Sequence, residues 1–147
     1  MPLAKVPLSR SENGVAKPVP QVSIRVLGQV DVERSRRGAR EQATNAGLDS
    51  KEAENWALVA TELATNLVRY ATAGGQISLL LEPDTLELSS VDTGPGIPDL
   101  EGALTDGYST GGSLGCGLGL VKRLSDEFTI KSSPAGTLIS ARRRLRR

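Results

Sequence analysis

Three groups of residues in this 147-residue chain have the types and spacing to do chemistry. Glu62 and Asn66 stand four apart in Glu62-Leu63-Ala64-Thr65-Asn66, inside a long helical pattern, so they share one helix face. A carboxylate there can take a proton, and a neutral amide oxygen beside it suits a hard cation. Asn is a poor mid-helix residue, which argues that it is kept for a task. Asp92 closes an apolar strand (Leu86, Leu88, Val91) and is followed at once by Thr93-Gly94-Pro95-Gly96-Ile97. A carboxylate at a strand end beside so bare a backbone suits hydrogen bonding to the edge of a flat ligand. The third group is the run Gly111-Gly112-Ser113-Leu114-Gly115-Cys116-Gly117-Leu118-Gly119. The helical spacing of Leu118, Val121 and Leu124 means that this loop feeds a helix N-terminus, whose free N–H groups attract anions. That makes a phosphate cradle. It is not a Walker A loop, because no Lys-Ser or Lys-Thr follows, and its glycine spacing does not fit a dinucleotide fingerprint.

Periodicity supplies the elements that must position these groups. Residues 1–19 hold Pro2, Pro7 and Pro18 without sustained periodicity and read as a flexible arm. Val22, Ile24 and Val26 alternate as a first strand, and a charged helix follows from Val30 to Ala46, with Val32, Ser35, Ala39 and Ala43 on its packing side. Asp49 and Glu52 form a capping box that opens the next helix. Its stripe of Trp56, Val59, Ala60, Leu63, Leu67, Tyr70 and Ala71 packs on a sheet, leaving Glu62, Asn66 and Arg69 toward a ligand. Strands 76–82 and 85–92 form a hairpin about Pro83-Asp84. A short helical piece begins at Pro98, and Thr105 to Ser113 reads as a mobile lid in which Tyr108, Ser109 and Thr110 face either a ligand or a partner. A helix from Leu118 to Glu127 and strands 128–132 and 137–144 complete the pattern. The expected fold is an α/β two-layer sandwich: a mixed, mostly antiparallel sheet covered on one face by three helices, spanning 20–144, with a basic tail at 145–147.

Composition narrows the chemistry. The chain has no histidine, which removes His acid–base catalysis, the Ser-His-Asp arrangement and most zinc sites. Proton transfer must then fall to a carboxylate. Aromatic residues make up 3%, so the core must be aliphatic. A single cysteine, Cys116, excludes an internal disulfide and fits a reducing cytoplasm. Among the glycines it reads as a small residue that fits. No apolar run approaches membrane-spanning length, so a soluble cytoplasmic chain is expected. Net charge is +1, yet five arginines crowd the last six residues. Without them thirteen cationic side chains face seventeen anionic ones, a balance of −4. With no aromatic interleaving, these arginines read as a solvated strand end or a docking patch, and nucleic acid is not an expected partner.

The ordered blocks resemble the ATP-binding (Bergerat) fold of the GHKL superfamily. In finer wording, Glu62-Leu63-Ala64-x-Asn66, Asp92-x-Gly94-Pro95-Gly96-Ile97-Pro98-Asp99, Asp106-Gly107-Tyr108-Ser109-Thr110 and Val121-Lys122-Arg123-Leu124-x-Asp126-Glu127-Phe128 resemble the RsbT-type switch serine/threonine kinases, relatives of the anti-sigma factor kinases. The resemblance implies an ATP-dependent kinase with Mg²⁺ as cofactor and a STAS-type domain as protein substrate in bacterial partner switching. A phosphatase or sigma factor is a further possible partner, and a homodimer a possible assembly. On the same grounds Glu62 takes the proton from the acceptor hydroxyl, and Asn66 binds Mg²⁺ with the triphosphate. Asp92 accepts from the adenine amine, and Thr137 helps it hold a water against the base. Gly94, Gly96, Ile97, Gly111, Gly115, Cys116, Gly117, Leu118 and Gly119 complete the nucleotide site. Two other readings use the same fold: a sigma-sequestering protein gated by nucleotide, and a plain ATP-binding or ATPase module.

Asp92→Asn should weaken ATP binding roughly tenfold to a hundredfold while leaving the fold intact. An amide loses the clean acceptor, and a hydrogen bond to a charged acceptor is worth about 1.5–3 kcal/mol. Unchanged affinity in calorimetry would remove Asp92 from the base-reading role.

Overall fold

Short-range patterns in the sequence account for most of the elements. The computed structural model describes residues 8–10, 16–18, 21–71, 73–93 and 116–145. The expected helical piece after Pro98 and the lid at 105–113 lie outside them. In the arm, β1 (Leu8–Arg10) pairs antiparallel with β2 (Ala16–Pro18). Three-residue strands are too short to leave a periodic signal, so the sequence reading had no element there.

Strand β3 (Gln21–Val26) buries Ile24 and Val26 and leaves Val22, in phase with them, 54% exposed. Helix α1 (Gln29–Asn45) starts where the Asp31 carboxylate accepts from the N–H groups of Leu27 (2.8 Å) and Gly28 (3.2 Å). Those backbone hydrogen bonds hold the Asp31 carboxyl below its ordinary value. The buried face of α1 is Val32, Ser35, Ala39 and Ala43, and the Ser35 hydroxyl is satisfied by the Asp31 carbonyl. Gly47, at φ +97, lets the chain turn out of the helix.

Helix α2 (Ser50–Tyr70) opens on a complete capping box. Asp49 accepts from Glu52 N at 2.8 Å, and Glu52 reaches back to Asp49 N at 3.2 Å. Trp56, Val59, Ala60, Leu63 and Leu67 are buried as the stripe requires, while Tyr70 and Ala71 are half-buried. The Trp56 indole N–H donates to the Gln42 side chain at 2.9 Å, so α1 and α2 are joined inside the layer by a satisfied polar contact.

Strands β4 (Gly75–Glu82) and β5 (Thr85–Asp92) form the expected hairpin, with Glu82 opposite Thr85. Helix α3 (Cys116–Arg123) ends four residues earlier than its periodicity predicts. The Ser125 hydroxyl takes the Val121 carbonyl at 2.7 Å, and Asp126 N already donates to Arg142 O at 2.8 Å. Pairing with the sheet thus claims the backbone that the helix would have used. Strands β6 (Glu127–Ser133) and β7 (Gly136–Arg144) follow.

The five-stranded sheet runs β3-β4-β5-β7-β6, and all four neighbour pairs are antiparallel, which carries the mostly antiparallel expectation to its limit. Ile77, Leu79, Leu86, Leu88, Ile139 and Ala141 line the face under the helices. Leu145 also belongs to the core, at 8% exposure, with its N–H donating to Asp84 O. The folded unit therefore reaches one residue into the stretch read as tail. Among the described residues no helix is long and apolar enough to cross a membrane.

Leu88 is fully buried on the central strand. Leu88→Ala should lower the unfolding free energy by about 2–5 kcal/mol, from lost transfer energy plus the cavity left behind. The measurement is the urea midpoint at constant m-value, and a midpoint equal to the parent's would mean that the core is centred elsewhere.

Candidate active site

Because the stripe of α2 is turned onto the sheet, Glu62 and Asn66 point to the flank that faces α3. Both are half-buried. The first turn of α3 lies directly against Glu62: a Cβ placed on Gly117 would sit 2.1 Å from Glu62 Oε1 and 2.9 Å from its Cδ. Burial pushes the Glu62 carboxyl above its ordinary value, and the charge of Arg69 acts in the opposite direction. A carboxylate moved toward neutrality is a stronger proton acceptor when it ionises, which is the property a general base needs. Among the described residues Asn66 Nδ2 is buried with no hydrogen-bond partner. A buried amide left in that state is costly, so its partner is to be sought beyond these residues.

Asp92 closes β5 between two neighbours, Gly75 on β4 and Thr137 on β7. Glycine lies on both sides of it, Gly75 directly opposite and Gly136 next to Thr137. A Cβ on Gly75 would meet Leu67 Cδ2 at 2.5 Å and Asp92 Cβ at 3.2 Å, so α2 and the Asp92 end of β5 close on the same bare backbone. Gly136 has φ +150, and a Cβ there would fall 2.3 Å from the Asp92 carbonyl oxygen. Thr137 is 7% exposed, and its hydroxyl shares a 3.1 Å hydrogen bond with Ser132 Oγ. A hollow of about 300 Å³ opens beside Asp92, lined also by Lys131, Ser132, Gly136 and Thr137.

Glu62, Asn66, Gly117, Leu118 and Gly119 thus gather where α2 meets α3, and Asp92 and Thr137 gather at the adjoining end of the sheet. Leu118 is fully buried in the core, so what it can offer a ligand is its backbone N–H. The N–H groups in the first turn of α3 are those that a helix start leaves for an outside acceptor, and they carry the positive end of the helix dipole. Gly94, Gly96, Ile97, Gly111 and Gly115 lie outside the described residues, as does the side chain of Cys116. Ser132 was not among the residues expected here. Its only sequence signal is its register opposite Thr137, which a strand pattern alone does not reveal.

The donor set fits Mg²⁺ held largely by its ligand. Among the described residues no three His, Cys, Asp or Glu side chains form a metal cage. Mg²⁺ is commonly held by one or two protein oxygens, with phosphate oxygens and waters filling the octahedron, and the Asn66 amide can supply one.

Comparison with known proteins places this geometry in context. Residues 28–143 match the histidine kinase-like ATPase domain. The serine/threonine-protein kinase RsbT of Bacillus subtilis (strain 168) is 37% identical over 131 residues, covering 86% of this chain and 98% of that protein. The fold is similar to the RsbU and RsbW domains of a Mycobacterium tuberculosis protein, with TM-score 0.62 and 21% identity over 88% of this chain. That match spans 34% of the longer protein. It is also similar to the SiaB-SiaC complex of Pseudomonas aeruginosa, with TM-score 0.56, 14% identity, and coverage of 86% of this chain and 89% of that one.

The burial of Glu62 has a consequence for stability. Its folded-state pKa is raised above the ordinary 4.5, so the folded chain holds this proton more tightly than the unfolded chain does. The stabilisation is complete below pH 4.5 and is lost as the pH rises through the raised value. Glu62→Gln, which is neutral at every pH, should therefore melt above the parent at pH 7, and the difference should close toward pH 4. A melting difference that does not change with pH would contradict a desolvated carboxyl.

Proposed function

Because the chain belongs to the histidine kinase-like ATPase family and, within it, to the RsbT-type serine/threonine-protein kinases, we propose that it transfers the γ-phosphoryl group of ATP to a Ser or Thr hydroxyl on a STAS-type partner protein. The observation that carries this reading is the half-buried Glu62 carboxylate, seated against the first turn of α3 and one helical turn from Asn66. Glu62 accepts the proton of the acceptor hydroxyl. The oxygen–phosphorus bond to the acceptor forms, the bond from the γ-phosphorus to the bridging oxygen breaks, and ADP leaves with the electron pair. N–H groups at the start of α3 orient and neutralise the phosphate oxygens. Asn66 holds Mg²⁺, which when bound neutralises charge that builds on the transferring group. Asp92 receives the adenine amine as a hydrogen-bond donor, where guanine would present a repelling carbonyl oxygen.

The proposed setting is cytoplasmic partner switching. Phosphorylation places about −1.5 to −2 of charge on the STAS domain beside Glu62 and the nucleotide phosphates, and the repulsion breaks the complex. A sigma factor or a phosphatase would enter such a pathway as the competing partner.

The test is incubation with labelled ATP and STAS domains from the same genome, followed by binding measurements on a phosphomimetic Asp variant of the accepting domain. One Ser or Thr should be labelled. Glu62→Gln should slow labelling by about 10²–10⁴ while ATP still binds, and the Asp variant should bind far more weakly than the parent domain. Equal binding of the two forms, with no STAS domain labelled, would overturn the switch-kinase reading in favour of nucleotide-gated sequestration.

A further inference from the structure

Gly117 sits where the first turn of α3 leaves no room for a side chain. A Cβ built on it would lie 2.1 Å from Glu62 Oε1, 2.9 Å from its Cδ and 3.1 Å from its Cβ. The two hard contacts are with the carboxyl end, which would have to swing to a new place, and the 3.1 Å contact with Cβ asks the root of the side chain to give way slightly as well. The helices cannot back apart instead. Leu118 and Val121 on α3 and Leu63 on α2 are all fully buried in one core, and separating the two helices would open that core. Glycine is otherwise the worse choice inside a helix, because it loses more backbone entropy on folding than alanine does. What the missing side chain provides at 117 is room for Glu62.

We propose that Gly117 is a positioning residue for phosphoryl transfer: its bare Cα is the surface against which the Glu62 side chain is held, and it sets where the carboxylate meets the acceptor hydroxyl. The inference rests on Glu62 being the proton acceptor. It is distinct from a phosphate-binding role for Gly117, since that role uses the backbone N–H, which an alanine keeps.

Gly117→Ala separates the two roles. Transfer at saturating Mg-ATP should fall by about 10²-fold, the cost of a displacement near 1 Å. The KM for ATP and the affinity for a non-hydrolysable analogue should stay at parent values. Glu62→Asp withdraws the carboxyl by one methylene, so adding Gly117→Ala to it should cost far less than adding Gly117→Ala to the parent. A readout without turnover is the ¹³C carboxyl resonance of Glu62 in the nucleotide-free chain. It should move in Gly117→Ala and stay in Gly28→Ala, where a Cβ meets nothing within 4 Å. Parent-rate transfer in Gly117→Ala, strictly multiplicative effects in the double variant, an unmoved resonance, or loss of analogue binding would each overturn the positioning role. Retained transfer in Glu62→Gln is scored separately and would overturn the base assignment itself.

Discussion

The apolar stripe of α2 lies on the centre of an antiparallel sheet, and the angular position of every other residue on that helix follows from it. Trp56, Val59, Leu63 and Leu67 cannot leave the core without exposing their full surface, at roughly 1.5–3 kcal/mol each. With those four fixed, Glu62 and Asn66 are turned to the flank where α3 begins. The stripe thus sets the phase of the site as well as the stability of the layer. A rotation of one residue about the α2 axis would bring the chemistry into the sheet and the core into solvent.

Close approach then completes what the stripe begins. Helix meets helix at Gly117 beside Glu62, and strand meets strand at Gly136 beside Asp92, in both places over backbone without a side chain. At Gly136 the positive φ requires glycine as well, whereas at Gly117 the requirement is space alone. The result is a half-buried carboxylate in a tight seat beside the positive end of a helix. These two influences act oppositely on its charge: burial disfavours the ionised form and the helix dipole favours it. Burial dominates for Glu62, with Arg69 pulling the other way.

The arginine-rich end shows how tertiary partners change the meaning of a charge run. Arg142 Nη1 meets Glu87 at 2.8 Å, its Nη2 meets Glu82 at 3.4 Å, and its Nε lies 3.4 Å from Glu127 in too poor an alignment to count as a hydrogen bond. Arg143 pairs with Glu52, the residue that also caps α2. Pairs this exposed add little stability each, but they place three carboxylates around one guanidinium. The basic stretch of the sequence is in good part a neutralised strand rather than a free cationic patch.

What the sequence determined by itself is what local interactions decide. The capping box at Asp49 and Glu52, the stripe of α2, the hairpin about Pro83-Asp84 and the buried face of α1 all depend on residues three, four or two apart, so periodicity reveals them. The types of the site residues were legible for the same reason: Glu62 and Asn66 share a face through helix geometry, and Asp92 ends a strand before glycine. Only the tertiary structure decided that α3 stops at Arg123, because the carbonyl of Arg142 claims Asp126; that Leu145 closes the core; that Ser132 reaches Thr137; and that Gly117 meets Glu62, fifty-five positions away in the chain. These contacts join segments brought together by folding, and no short-range pattern encodes them. The reason is physical: a helix or a turn is settled by neighbours along the chain, whereas an end, a seat or a shifted pKa is settled by whichever distant backbone arrives to compete for the same space and the same hydrogen bonds.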